Sequence, residues 1–195
     1  MGRPYCRRVR RLLPILLVLA VVGCGSDPGP APSIEGLQTF TVDPKERHTT
    51  DRVTYDRTPP AGGPHWPAEA KAAKGVTGWL RCGVYDEPVP NEFAVHSQEH
   101  GAVWLTYLPD QQAGPLAALA QGNDYVLVSP YAGQPGPFMA STWGAQLSVQ
   151  KADDPRLKAF VDAYAGGGQG GEKGADCVNG SLPGPAQAAL DKANR

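Results

Sequence analysis

The 195-residue chain is long enough for one domain, and Gly and Pro, at 24 and 20 residues, commit much of it to loops and turns. Its formal charge of −1 hides an asymmetry: the first 23 residues carry five of the 18 basic side chains and none of the 19 acidic ones. Without them the chain has 13 basic against 19 acidic residues, a net −6, which excludes an electrostatically driven nucleic-acid partner.

Arg3, Arg7, Arg8, Arg10 and Arg11 precede an apolar run, Leu12 to Val22, that is shorter than the roughly 20 residues a bilayer span needs. This pattern reads as an export signal over 1–23. The junction Val21-Val22-Gly23-Cys24 resembles the lipobox of bacterial lipoproteins, so Cys24 is expected to carry a lipid such as palmitate and to begin the mature chain. An ordinary signal peptide with an incidental cysteine is the alternative. Residues 24–33, rich in Gly, Pro and Ser, fit a flexible tether. The expected location is the extracytoplasmic face of the cell membrane, held by the lipid.

Residues 34–182 are expected to form one small α+β domain, with 183–195 a helical or frayed tail. Leu37 to Val42 and Arg52 to Tyr55 alternate as edge strands or extended segments do, with His48 in a polar turn between them. Thr58 to Pro67 is too proline-rich for a helix or a central strand and reads as an ordered loop presenting His65, packed down by its apolar content and Trp66. Gly78 to Glu92 continues as an extended, proline-limited segment.

In Val95-His96-Ser97-Gln98-Glu99-His100-Gly101, two of the chain's four histidines lie four residues apart. On a helical turn such imidazoles share one face and can close on one metal ion; on a strand they would stand about 13 Å apart. A helical turn is therefore expected, stopped by Gly101 in a left-handed conformation. The apolar run Ala102 to Tyr107 then enters a sheet.

Beyond it the pattern predicts a short helix over Pro115–Gln121, a buried strand over Tyr125–Ser129, and a strand or hairpin over Phe138–Gln150. A helix over Asp154–Tyr164 places Leu157, Phe160, Val161 and Tyr164 on one face. The sum is a mixed β-sheet with a β-α-β-β-α core and long Pro/Gly-rich loops. The glycine run after Tyr164 matches dinucleotide-binding spacing but follows a helix and opens none, and Lys173 lacks the hydroxyl neighbour of a phosphate-binding loop. It reads as a flexible connection returning Cys177 towards Cys82.

Those two cysteines remain once Cys6 leaves with the signal and Cys24 is lipidated. Outside the cytoplasm such a pair is most simply a disulfide, closing a loop of about 95 residues. Two metal thiolates are the alternative.

Pro59-Pro60-Ala61-Gly62-Gly63-Pro64-His65, Cys82-Gly83-Val84-Tyr85-Asp86-Glu87-Pro88-Val89-Pro90, His96-Ser97-Gln98-Glu99-His100-Gly101, and Val128-Ser129-Pro130-Tyr131 with Trp143-Gly144 together resemble a bacterial family of secreted or membrane-anchored proteins of unknown function, DUF3105. The likeness runs from about His48 to Cys177. It implies histidines corresponding to His48, His65, His96 and His100, and cysteines corresponding to Cys82 and Cys177. Pro64 and Trp66 stand where variable residues are expected. No established activity comes with the resemblance.

Three functional classes follow. In the first, His48, His65, His96 and His100 converge on a transition metal, zinc or copper, with Glu99 as a ligand or a partner to one; the sheet and the disulfide would then lie apart from the site. A methionine, Met139, would soften such a site towards copper, although a methionine in an apolar strand is usually core. In the second, His96 to His100 is the inverted zinc-protease motif H-x-x-E-H, but the long helix it needs is absent and the only later glutamate, Glu172, lies in the glycine run. In the third there is no metal, and exposed Trp66, Tyr85 and Tyr131 make a cell-envelope interaction module whose protein partner is unknown. Whether the chain is an enzyme is left open.

Overall fold

The computed structural model describes residues 33–43, 48–68 and 76–195, all in one compact unit, Pro32–Arg195. The expected export signal, the expected lipidation site Cys24 and all of the expected tether except Ser33 lie outside the described residues. Among the described residues no helix is long and apolar enough to cross a membrane.

Six strands form one mixed sheet: β1 (Gln38–Thr39), β2 (Gly83–Val84), β3 (Val103–Tyr107), β4 (Val126–Pro130), β5 (Phe138–Thr142) and β6 (Ala145–Val149), in the spatial order β1-β6-β5-β3-β4-β2. β3 and β4 are parallel, with Leu105 opposite Val128, and the short helix α2 (Gly114–Ala120) makes the crossover between them. β5 lies antiparallel to β3, with Leu105 opposite Ala140. β5 and β6 form a hairpin closed by Trp143-Gly144, where Gly144 has φ +75°. The fold is α+β, as read from the sequence, with the strand or hairpin over Phe138–Gln150 resolved as a hairpin. Among the described residues Arg52–Tyr55 joins no ladder, and β1 keeps two residues of its segment.

Period-two alternation divides the central strands between two cores. Val103, Leu105, Val126, Val128, Ala140 and Leu147 face one way, covered by α2 and by α3 (Pro155–Tyr164) through Leu116, Leu157, Phe160 and Val161. Asp154 caps α3 by accepting the Arg156 N–H at 2.9 Å, the geometry expected of an acidic residue just before Pro155. Trp104 and Leu127 face the other way, against α1 (Asn91–Glu99) and α4 (Pro183–Ala193). Because both faces are covered, every residue of β3, β4 and β5 is buried, which is why these strands read as nearly continuous apolar runs.

The end of the chain is helical and packs: Ala186, Ala189 and Leu190 of α4 are buried in this second core. Trp66 joins it too, at 1 % exposure and stacked on Phe93 with centroids 5.1 Å apart. Such a pair adds about 0.5 to 1.5 kcal/mol beyond area burial. Trp66 is thus not the exposed aromatic that an interaction surface required, and Tyr85 and Tyr131 are half-buried against the same core. Met139 is buried in β5 in register with Thr106, as a core methionine is.

Candidate functional site

The site is built outward from α1. Pro88 and Pro90 hold the approach extended, and Pro90 occupies the position before the first helical residue. Glu92, in the first turn, suits the positive end of the helix and accepts the Val53 N–H at 2.9 Å. At the other end the predicted stop is present: Gly101 has φ +102°, and the N–H groups of Gly101 and Ala102 return to the carbonyls of Gln98 and Ser97. All residues from Glu92 to His100 are buried, because the sheet lies on one side of the helix and loops close over the other.

Each residue between the two histidines of the turn has a distinct partner. Ser97 clasps the neighbouring segment: its hydroxyl accepts the Leu80 N–H at 3.0 Å and lies 2.8 Å from the Leu80 carbonyl. Gln98 fastens the double-proline loop, accepting the Gly62 N–H at 2.9 Å and donating to the Pro60 carbonyl at 3.0 Å. Glu99 meets His65 across that loop, with Oε2 3.0 Å from Nε2. His65 in turn bridges to His48, whose neighbour Thr49 donates to the His65 carbonyl at 2.9 Å.

The four imidazoles form a chain of touching rings: centroids are 5.0 Å apart for His48 and His65, 4.9 Å for His65 and His96, and 4.8 Å for His96 and His100. Trp143 stands 5.6 Å from His65, and Trp79 stands 5.0 Å from His100, so aromatic walls flank the chain. His65, His96 and His100 are buried, and His48 lies at the exposed rim.

Their protonation follows from their partners. A carbonyl oxygen can only accept, so the Nδ1 atoms of His65, His96 and His100, at 2.9, 2.6 and 2.6 Å from the carbonyls of Gly63, Trp66 and Asp176, each carry a proton. In the neutral ring Nε2 is then a lone pair. The Nε2 atoms of His65 and His96 are buried without a hydrogen-bond partner. Burial pushes the His96 pKa down to about 3, reinforced by charge on His65 and His100, so this ring is neutral at ordinary pH. Histidines with Nδ1 committed to a carbonyl and Nε2 left available have the arrangement found in metal-ligating imidazoles.

Two groups of side chains offer atoms within 4.8 Å of one another: His48, His65 and Glu99, and His96, His100 and Glu172. The four histidines singled out from the sequence therefore converge, as does Glu99, but they divide two and two. Glu172, in the glycine run, is the site residue that the sequence reading does not place among the ligands. Its Oε2 is 3.3 Å from His100 Nε2.

That run is not a loose connection. The N–H groups of Gly166, Glu172 and Gly174 donate to the carbonyls of Gly101, Glu99 and His100, so the segment lies along the end of α1. A side chain at Gly170 would place its Cβ 2.2 Å from the Glu99 carbonyl, which explains a glycine there. The one sequence signal that could have found Glu172 is its place five residues before Cys177, since a bridge to Cys82 draws that segment towards the site.

Cys82 and Cys177 are joined in a disulfide, with Cα atoms 5.4 Å apart, and are therefore not thiolate ligands. The bridge does not lie apart from the site: the carbonyl of Asp176, the residue before Cys177, accepts the hydrogen bond from His100 Nδ1. The arrangement also differs from the zinc-protease reading of H-x-x-E-H. Glu172 supplies a carboxylate beside the His pair from a loop, while the motif's own glutamate is turned to His65.

No curated protein and no solved structure matches the chain. A family model does, over residues 47–179, a span that holds all four histidines, Glu99, Glu172 and both cysteines of the disulfide. The chain belongs to the family described as Protein of unknown function (DUF3105).

Proposed function

We propose that this domain binds a transition metal, zinc or copper, through the Nε2 atoms of its histidine cluster. The observation that carries the reading is the contact between His65 Nε2 and Glu99 Oε2. With the His65 proton on Nδ1, two acceptors face each other at 3.0 Å in a site from which water is excluded. An imidazole lone pair and a carboxylate oxygen held this close are a pair of ligands ready for a cation. The buried bare Nε2 of His96 offers a further donor in the same cluster. Imidazole nitrogens suit zinc and copper, and a carboxylate beside them is compatible with zinc.

The rival cation is a proton on His65 Nε2, which would make a buried ion pair. Titration of metal-stripped, untagged protein with Zn²⁺ and Cu²⁺ separates the two. Metal binding predicts stoichiometric uptake that is lost in a His65→Gln, His96→Gln variant shown to be folded by circular dichroism. Equal, weak uptake by both proteins, with ring ¹⁵N shifts of a charged His65 in the wild type, would establish the ion pair instead.

The same proposal places the domain on the extracytoplasmic face of the cell membrane, tethered through lipid on Cys24. Its support is the sequence pattern of the first 24 residues and a disulfide of the kind that persists in oxidising compartments. Intact mass of membrane-extracted protein tests it. A chain that begins elsewhere without lipid, or retains residues 1–23, would refute it.

A further inference from the structure

We infer that the cluster is a two-ion centre, one ion held by His48, His65 and Glu99 and the other by His96, His100 and Glu172. The inference rests on the metal-binding reading above. Around one tetrahedral ion with bonds of about 2.0 to 2.1 Å, donor atoms stand roughly 3.3 to 3.4 Å apart, so a single site gathers its donors into one tight group. Here the donors fall into two groups that share no residue, each with its ligand atoms within 4.8 Å of one another.

Electrostatics points the same way. Each group contains an imidazole Nε2 facing a carboxylate oxygen, at 3.0 Å in the first and 3.3 Å in the second, with Nδ1 already donating to a carbonyl in both. Each group thus pairs neutral nitrogen donors with one anionic oxygen, a donor set for an ion of its own, and the adjoining rings of His65 and His96, 4.9 Å apart, make the two groups neighbours.

The groups are unequal, and this sets an order. Glu99 is 1 % exposed and fixed on a buried helix, whereas the Glu172 side chain is 52 % exposed on a glycine-rich segment. A carboxylate in a low-dielectric surrounding attracts an ion more strongly, and one already held in place loses less freedom on binding. The first ion therefore enters the His48, His65 and Glu99 group. The second enters against the charge of the first and binds more weakly. With three protein donors in each group, each ion keeps a coordination position for water or an external ligand, the condition that distinguishes reactive or exchangeable sites from closed structural ones.

Each group has one solvent-exposed ligand, His48 in the first and Glu172 in the second, so each can be altered without disturbing the core. The test is native mass spectrometry and competition titration with Zn²⁺ on the mature, untagged chain. Wild type is expected to take two ions in two steps. Glu172→Gln should weaken the second step by at least about tenfold and leave the first unchanged, and His48→Gln should weaken the first. One ion in wild type, unaffected by Glu172→Gln, would overturn the two-ion centre while leaving metal binding intact. Two ions in both wild type and Glu172→Gln, with unchanged affinities, would overturn the assignment of the second group. No ion in any of the proteins would remove the metal-binding reading itself. With Cu²⁺, the fully loaded wild type should give a dipolar-broadened resonance and Glu172→Gln, loaded with one ion, an isolated one. Isolated signals from fully loaded wild type would mean that the ions are not neighbours.

Discussion

His96 is the residue at which burial and chemistry are most tightly joined. Its ring is 1 % exposed, donates from Nδ1 to the Trp66 carbonyl, and stands between His65 and His100. Burial, with positive charge on those two neighbours, lowers its pKa from 6.5 to about 3, against the opposing pull of the Trp66 carbonyl and Glu99. The unfolded chain takes up this proton near 6.5, but the folded chain only near 3. Protons thus favour unfolding throughout that window: stability is complete above pH 6.5 and falls as the solution is acidified. At about 1.4 kcal/mol per pH unit, the metal-free protein should lose on the order of 2 kcal/mol from this group between pH 6.5 and 5. Urea unfolding of metal-stripped wild type and His96→Gln at pH 7.5 and 5 isolates the contribution as the difference in slope. Parallel profiles for the two proteins would show that His96 does not titrate between the folded and unfolded states as its surroundings dictate.

At the scale of elements, what the sequence disclosed was what is decided locally. The turn at His96 to His100 was legible because i, i+4 histidines followed by glycine have few other uses, and α3 because its cap, its proline and its apolar stripe agree. The strands β3 and β4 announced themselves as apolar runs because helices cover both of their faces. Hidden were the features that exist only after the chain has closed on itself. Gly170 has no side-chain pattern to read, since its role is to let one backbone approach another. Helix α4 buries only one large apolar side chain, Leu190, beside Ala186, Ala189 and Pro183, a weak apolar signal. The packing of the Trp66 loop, by contrast, was legible from its apolar content, but not that Trp66 stacks on Phe93 and so carries His65 inward. The convergence of four histidines was readable from their chemistry. Their division into two groups was not, because it depends on which carboxylate each ring meets, and Glu172 arrives from a segment 72 residues beyond His100.

Across the whole molecule, the disulfide unites the stability of the domain with the geometry of its site. It spans 95 residues, from the edge strand β2 to the segment that follows the glycine run, and so encloses α1, the central strands and α3. Constraining so long a loop in the unfolded state is worth about 4 to 5 kcal/mol by the chain-entropy estimate, a large share of a typical domain's stability of about 5 to 15 kcal/mol. The bridge also fixes a local contact. Cys82 donates its N–H to the Cys177 carbonyl at 2.7 Å, and the adjacent Asp176 carbonyl holds the His100 ring by its Nδ1 proton at 2.6 Å. Replacing both cysteines, Cys82→Ala with Cys177→Ala, should therefore have two separable effects. Guanidinium unfolding should show a loss of about 4 kcal/mol. Zinc titration under conditions where the variant remains folded should show a weaker His96, His100 and Glu172 site and an unchanged His48, His65 and Glu99 site, because only the former leans on Asp176. A large stability loss with both affinities retained would confine the bridge to the unfolded state, and a loss below about 1 kcal/mol would show that the loop-closure account does not describe this chain.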